Sequence, residues 1–308
     1  VHFDMAKLSN IKLKYLDHSK EKWTLYFCDP KEIELIRLLR KNPAIQVMGE
    51  FVSVDVGVVT GENKFFVLSR KTVDDYDLHD FVEPIVGKSA NLKGAIFWKK
   101  DWDAITKTET PSYLLRIPDI SEDNLPGNVI NYIRKGEKSG YNKGYKCRIR
   151  KHWYAVPSVW IPDAFMLRQA HRYSKIVTNL ANATCTDTLH RIKLINEIDS
   201  KIISVAFVNS LTLAFSEITG RSYGGGVLTF EPSEAERLPL PLKKASEIDL
   251  NNLDNLLREN KIFDVLDITD TILLKKGLSL DKADIKRLRN IWQKLSQRRI
   301  NRRYSSHN

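Results

Sequence analysis

Residues 222–241 read SYGGGVLTFEPSEAERLPLP, and their order decides how the rest of the chain is divided. Gly224, Gly225 and Gly226 make a flexible turn that leads into a short apolar run, residues 227–230. Pro232, Ser233 and Glu234 open a helical turn. Leu238-Pro239-Leu240-Pro241 closes it in extended chain, because proline disfavours helix both at its own position and at the one before. Lacking a Cβ, the glycines tolerate positive φ and a close backbone approach, either to a neighbouring strand or to a ligand. A phosphate loop is excluded, since the run has neither a G-K-[ST] end nor G-x-G-x-x-G spacing.

A chain of 308 residues has room for two domains, or for one large domain with an appendage. No apolar run is long enough to span a membrane, and the first residues do not form a signal peptide. Cys28, Cys147 and Cys185 are too far apart to suggest a disulfide framework or a zinc site, so a reducing, cytoplasmic compartment is expected. The formal net charge of +11 attracts polyanions. Nucleic acid is the leading partner class and an anionic membrane surface the weaker one. The initial Val1, in place of methionine, suggests a piece of a longer polypeptide.

Residues 7–28 alternate loosely, with Leu13, Tyr15, Trp23, Leu25 and Phe27, and read as one or two strands. Asp29-Pro30-Lys31-Glu32 is a helix start: Asp29 suits the cap, Pro30 the first turn, and Glu32 completes a capping box. That helix is expected to stop near Lys41, before Asn42-Pro43. In residues 47–68, Val52, Val54, Val56 and Val58 alternate as a strand. A turn at residues 60–63 and a return strand at residues 65–68 would make a hairpin or strand pair. A short helix and loop are expected around Tyr76, Leu78 and residues 81–86. Short strands are expected at Ile96–Trp98 and residues 113–117, and a helix over residues 121–135. Further strands are read at residues 175–178 and 192–195. Residues 198–218 are apolar almost all round, as in a helix buried in a core.

Residues 134–153 are the most basic central stretch, with Tyr141, Tyr145, Trp153 and Tyr154 interleaved among the cations. Lysine and arginine neutralise phosphates, and aromatic faces stack on bases or sugars. Lys143, Lys146, Arg148, Arg150 and Lys151 are therefore candidate phosphate contacts. The alternative is a solvated loop whose aromatics turn into the core. His190 alone reads as a structural or surface histidine, and no cysteine or carboxylate spacing supports a metal. After Pro241, helices are expected over residues 250–257, 262–273 and beyond Ser279. On the last, Ile285, Leu288, Trp292 and Leu295 share a face that basic residues surround. Such a helix suits DNA, a membrane surface or an acidic partner, or is a solvated surface helix.

Four separated blocks occur in order: VDVGVVTGENKFFVL (54–68), FVEPIVGKSANLKG (81–94), the run from Trp160 through Arg172 to NATCTDTLHR (182–191), and GRSYGGGVLTFEPSEAERLPLP (220–241). Together they resemble the C-terminal portion of bacterial adenine-specific DNA methyltransferases of restriction–modification systems, across residues 45–242. The glycine run with its x-P-x-P exit is also similar to target-recognition domains of type I specificity subunits.

The resemblance implies an α+β fold: an irregular β-rich target-recognition domain with packed helices, followed by an α-helical C-terminal region. It implies three segments. Residues 1–45 end, or link to, a methyltransferase catalytic domain, residues 46–242 recognise DNA, and residues 243–308 form a basic helical region. Double-stranded DNA is the implied partner, with the catalytic domain and a restriction nuclease domain or subunit; no membrane partner is implied. Arg168, His171, Arg172, Thr184, Thr186 and Tyr223 become candidate groove contacts, because base edges are read by hydrogen-bonding and cationic side chains. The family's glycine-rich S-adenosylmethionine motif and its [DNS]-P-P-[YFW] tetrapeptide are missing, since Asp29-Pro30 is followed by Lys31 and Asn42-Pro43 by Ala44. No catalytic or cofactor-binding residue is therefore expected here, with S-adenosylmethionine belonging to the parent enzyme. The alternative is a non-enzymatic specificity-subunit piece whose terminal helices dock other subunits. An independent hydrolase has no supporting motif.

Overall fold

A computed structural model describes Asp17 and residues 21–301. Twelve strands are found among them, in chain order β1 (Val52–Val56), β2 (Val67–Leu68), β3 (Val82–Val86), β4 (Ile96–Trp98), β5 (Tyr113–Leu115), β6 (Ala164–Leu167), β7 (Gln169–Ala170), β8 (Ile176–Leu180), β9 (Thr184–Cys185), β10 (Leu189–Leu194), β11 (Arg221–Tyr223) and β12 (Val227–Thr229). They form a five-stranded sheet in the order β1-β10-β6-β8-β4, a four-stranded sheet β2-β5-β3-β9, and a three-stranded sheet β11-β12-β7. Helices pack around and between these sheets, and the chain after residue 250 is almost wholly helical. The fold is α+β.

The helix Pro30–Arg40 starts as its sequence requires. Asp29 accepts from the Glu32 amide at 3.0 Å, and Glu32 accepts from the Asp29 amide at 2.8 Å. Ile33, Ile36 and Leu39 line its buried side. The strands expected over residues 7–28 fall largely outside the described residues. Where they are described, Trp23–Phe27 is a 3-10 helix. Leu25 and Cys28, three residues apart, point into the core, which suits a three-residue turn rather than the period of two in a strand.

The expected hairpin at residues 60–63 does not form. β1 pairs antiparallel with β10, from Val52↔Leu194 to Val56↔His190. Beyond Gly61 (φ +83°) the chain enters a helical turn, Asn63–Phe66, capped by the Glu62 carboxylate on the Lys64 amide. Phe65 and Phe66 are drawn into a separate apolar cluster, and β2 finds its partner in β5. The short helix expected near Tyr76 lies earlier, at Arg70–Asp75, and residues 82–86 are strand β3. The apolar run at residues 198–218 is two helices, Ser200–Phe207 and Ser210–Thr219, bent by 78°. Asn209 breaks the run by capping the second helix through the Thr212 amide. No single described helix is long and apolar enough to cross a membrane.

One apolar cluster joins Leu25, Ile36 and Met48 to the bent helix pair and to Leu253, Leu266, Leu288 and Leu295. The helices after residue 242 thus share a core with residues before 46. A second cluster, from Val58 to Tyr154, holds Phe65, Leu114, Tyr132 and Ile133. A third, with Phe97, Trp102 and Phe165, lies on the five-stranded sheet. The helix Leu250–Arg258 is latched to β4 by Asp254, which accepts from the amides of Ala95 and Ile96 at 2.7 and 2.9 Å.

Gly224–Gly226 form the loop of the β11–β12 hairpin, registered Arg221↔Thr229 to Tyr223↔Val227. The close approach is to the protein itself: a Cβ on Gly226 would lie 2.9 Å from Cα of Ile300. The extended exit runs antiparallel beside residues 46–49, with the Met48 and Leu240 amides bonding the Leu238 and Gln46 carbonyls.

Gly226→Ala places a side chain at φ +72° and against the last helix. It should cost about 2–4 kcal/mol and lower Tm by roughly 5–10 °C. Gly224→Ala, where a Cβ meets open space, should change Tm by less than about 2 °C. Thermal unfolding of the two variants checks both.

Candidate nucleic-acid interface

The helix Gly127–Lys138 buries Val129, Tyr132 and Ile133 and ends where Gly140 turns left-handed at φ 76°. The chain then makes a 3-10 turn, Tyr141–Lys143, and a four-residue helix, Tyr145–Arg148. This reversal leaves Lys143, Lys146, Arg148 and Lys151 exposed. Among the described residues, no carboxylate lies within ion-pair distance of these four. Tyr145 stands beside them at 65% exposure, with Lys146 Nζ 6.0 Å from its ring centre. The other aromatics turn inward: Trp153 packs 4.7 Å from Phe65, and Tyr154 is buried, donating to the Ile120 carbonyl at 2.7 Å. The stretch therefore has its cations outside and Trp153 and Tyr154 turned inside.

Arg150 departs from its neighbours. Its guanidinium donates to the carbonyls of Val59 and Thr60 at 3.1 and 2.7 Å, and it lies 5.4 Å from the Phe66 ring centre. Burial pushes its pKa down. It ties the basic segment to the turn at Gly61.

The candidate groove residues divide in the same way. β7 and β11 flank β12, with Ala170↔Leu228 and Tyr223↔Val227 in register, so His171 and Tyr223 lie at one end of the small sheet. His171 and Arg172 are exposed, and Tyr223 is 54% exposed. Arg168 is half-buried, donating to the Asp187 carbonyl at 3.0 Å with Glu231 4.0 Å away. Thr184 and Thr186 are turned inward, away from the surface that a groove contact needs. Both are buried, and their hydroxyls donate to the Trp160 and Gly87 carbonyls, each at 3.1 Å. His190 is structural: it is fully buried, and its Nε2 donates to the Phe230 carbonyl at 2.9 Å.

The last helix, Lys282–Asn301, is less basic at its surface than its sequence suggests. Lys294 pairs with Glu32, and Arg289 with Asp267 and Asp270. Arg299 is buried and bidentate on Glu217, at 3.0 and 2.7 Å. The same guanidinium donates to the carbonyls of His171 and Gly226. Burial is the larger influence on Glu217 and raises its pKa against the pull of Arg299. Sequence reasoning missed this pair, although Glu217, a lone acid in an apolar run, was the signal. Arg302 and Arg303 lie outside the described residues.

Arg150→Ala would leave two carbonyls without a donor and should cost about 2–3 kcal/mol. Lys151→Ala should cost less than about 0.5 kcal/mol. Urea unfolding of the two neighbouring variants separates the structural cation from the surface one.

Comparison with known proteins places this architecture. Residues 20–274 match the family described as the type II methyltransferase M.Eco57I, C-terminal domain. The fold is similar to that of the type IIG restriction endonuclease BpuSI, with a TM-score of 0.53 and 13% sequence identity, over 92% of this chain and 34% of that one. The type IIL restriction-modification enzyme MmeI, solved in complex with DNA, gives a TM-score of 0.48 and 10% identity, over 82% of this chain and 36% of that one. This chain therefore corresponds to about a third of the length of each. No protein with a curated description matches it. The match across most of its length makes the chain a member of the M.Eco57I C-terminal domain family of type II methyltransferases.

Proposed function

We propose that this chain is the module with which an S-adenosylmethionine-dependent, adenine-N6-specific DNA methyltransferase of a restriction–modification system recognises its duplex target sequence. The observation that carries the reading is the group of exposed cations Lys143, Lys146, Arg148 and Lys151, without carboxylate partners among the described residues. Surface lysines and arginines commonly sit near acids. A one-signed group on an ordered turn favours a polyanion and releases its counterions on binding. Membership of a methyltransferase C-terminal family supports the same reading.

In this division of labour the four cations hold phosphates, and His171, Arg172 and Tyr223 at the end of the small sheet reach base edges. Arg168, braced by Asp187, stands beside them. Phosphate contacts set position and base-edge contacts set sequence. Methyl donor, target-base chemistry and any nuclease belong to other domains or subunits of a cytoplasmic assembly. The subunit-docking alternative loses its most evident apolar surface, because Leu288, Ile291, Trp292 and Leu295 of the last helix are buried against this chain's own core.

Electrophoretic mobility shifts across a salt series test the reading. Duplex affinity should fall steeply with salt. Each alanine at Lys143, Lys146, Arg148 or Lys151 should lower the slope of log K against log salt by about 1, alike for all sequences. Salt-independent binding, or none, would remove the proposal.

A further inference from the structure

A cleft of about 530 Å³ opens in the second apolar cluster, beside the basic segment. Its wall includes Phe65, Tyr132 and Tyr141, with Lys64, Lys88 and Lys135 among the polar lining and no carboxylate. Phe65 and Tyr132 stack at 4.9 Å between ring centres, and Tyr141 stands tilted 6.1 Å from Phe65. Lys135 is held over the rings of Tyr76 and Tyr132, at 4.6 and 5.5 Å. Lys64 and Lys88 are exposed and have no ion-pair partner among the described residues. Asn91 lies in the same wall and adds an amide able to donate and accept.

No simple ligand uses all of these features. Inorganic phosphate would satisfy the lysines and leave the rings idle, and an apolar ligand would do the reverse. A nucleotide uses both, through a flat base for the aromatic wall and an anion for the ammonium groups. The cleft's position suits that ligand. Tyr141 of its wall begins the 3-10 turn that carries Lys143, and the turn at Gly61 packs 2.7 Å from Lys146 Cβ, measured from an ideal Cβ on the glycine. A base within a duplex is stacked on its neighbours and cannot enter such a site, so the occupant must be unstacked.

We propose that this cleft binds one unstacked nucleotide, its base against Tyr141 and the apolar floor and its phosphate at Lys64 and Lys88. The nucleotide comes either from a base extruded from bound DNA, which rests on the duplex-binding reading above, or from a free mononucleotide, which does not.

The test uses the 308-residue chain and two sets of probes. The first is a duplex with one bulged 2-aminopurine and its fully paired counterpart. The second is AMP, adenosine and inorganic phosphate. An extruded base predicts that the bulged duplex binds about tenfold more tightly than the paired one, with 2-aminopurine fluorescence quenched by stacking. The double variant Lys64→Ala/Lys88→Ala, on exposed positions, and the ring-removing Tyr141→Leu should each bring the ratio of bulged to paired affinity down to about one, whatever each does to paired-duplex affinity itself. A free nucleotide predicts instead that AMP binds about tenfold more tightly than adenosine or phosphate, that the same variants remove this, and that the bulge is not preferred. The proposal is overturned if neither preference exists, or if folded variants retain it. Failure of the wild-type chain to bind paired duplex would remove only the duplex reading, because the AMP titration is independent of it.

Discussion

The buried pair Glu217–Arg299 joins stretches of chain that are far apart in sequence. Two charges removed from water are costly unless their remaining hydrogen-bonding capacity is met, and here it is met closely. Glu217 takes two bonds from the guanidinium, which also donates to the carbonyls of His171 and Gly226. The buried helix Ser210–Thr219, the edge of the three-stranded sheet, the glycine loop and the last helix are thereby held together. Gly226 must be glycine because that arrangement brings the backbone of the last helix onto it. The glycine run is thus a place where one part of the fold passes very close to another.

That constraint bears directly on the proposed interface. With the loop and β7 anchored from beneath by Arg299, Tyr223, His171 and Arg172 are presented from an ordered sheet end. Arg150 does the same for the basic segment by gripping the carbonyls of Val59 and Thr60. In both places an arginine, buried at Arg299 and half-buried at Arg150, positions the backbone, and neighbouring exposed residues remain available to a ligand. The fold divides its cations into internal ties and outward charges, and the second kind is what the proposed polyanion partner would meet.

Local features were legible in the chain itself. Asp29, Pro30 and Glu32 spelled out a capped helix, and the alternating valines of residues 52–56 spelled out a strand. The strand's partner was not legible, because β10 lies more than a hundred residues away and nothing local names it. The bend at residues 208–209 was hidden as well: where every face is apolar, periodicity carries no signal, and Asn209 was the one mark of a new helix start. In the candidate site, charge was visible but pairing was not. Arg150 and Lys151 are adjacent and look equivalent, yet one is an internal clamp and the other is exposed. Thr184 and Thr186 looked suited to base edges, but the parallel pairing of β3 with β9 draws the Thr184 segment inside.

Hydrogen exchange with mass spectrometry, with and without duplex DNA, tests the central claim most directly, because it reports contact along the chain without any substitution. The account predicts slowed exchange at residues 141–151 and at residues 169–172 and 221–225, diminishing as salt is raised. Protection confined to the last helix, or no protection at any salt concentration, would contradict it.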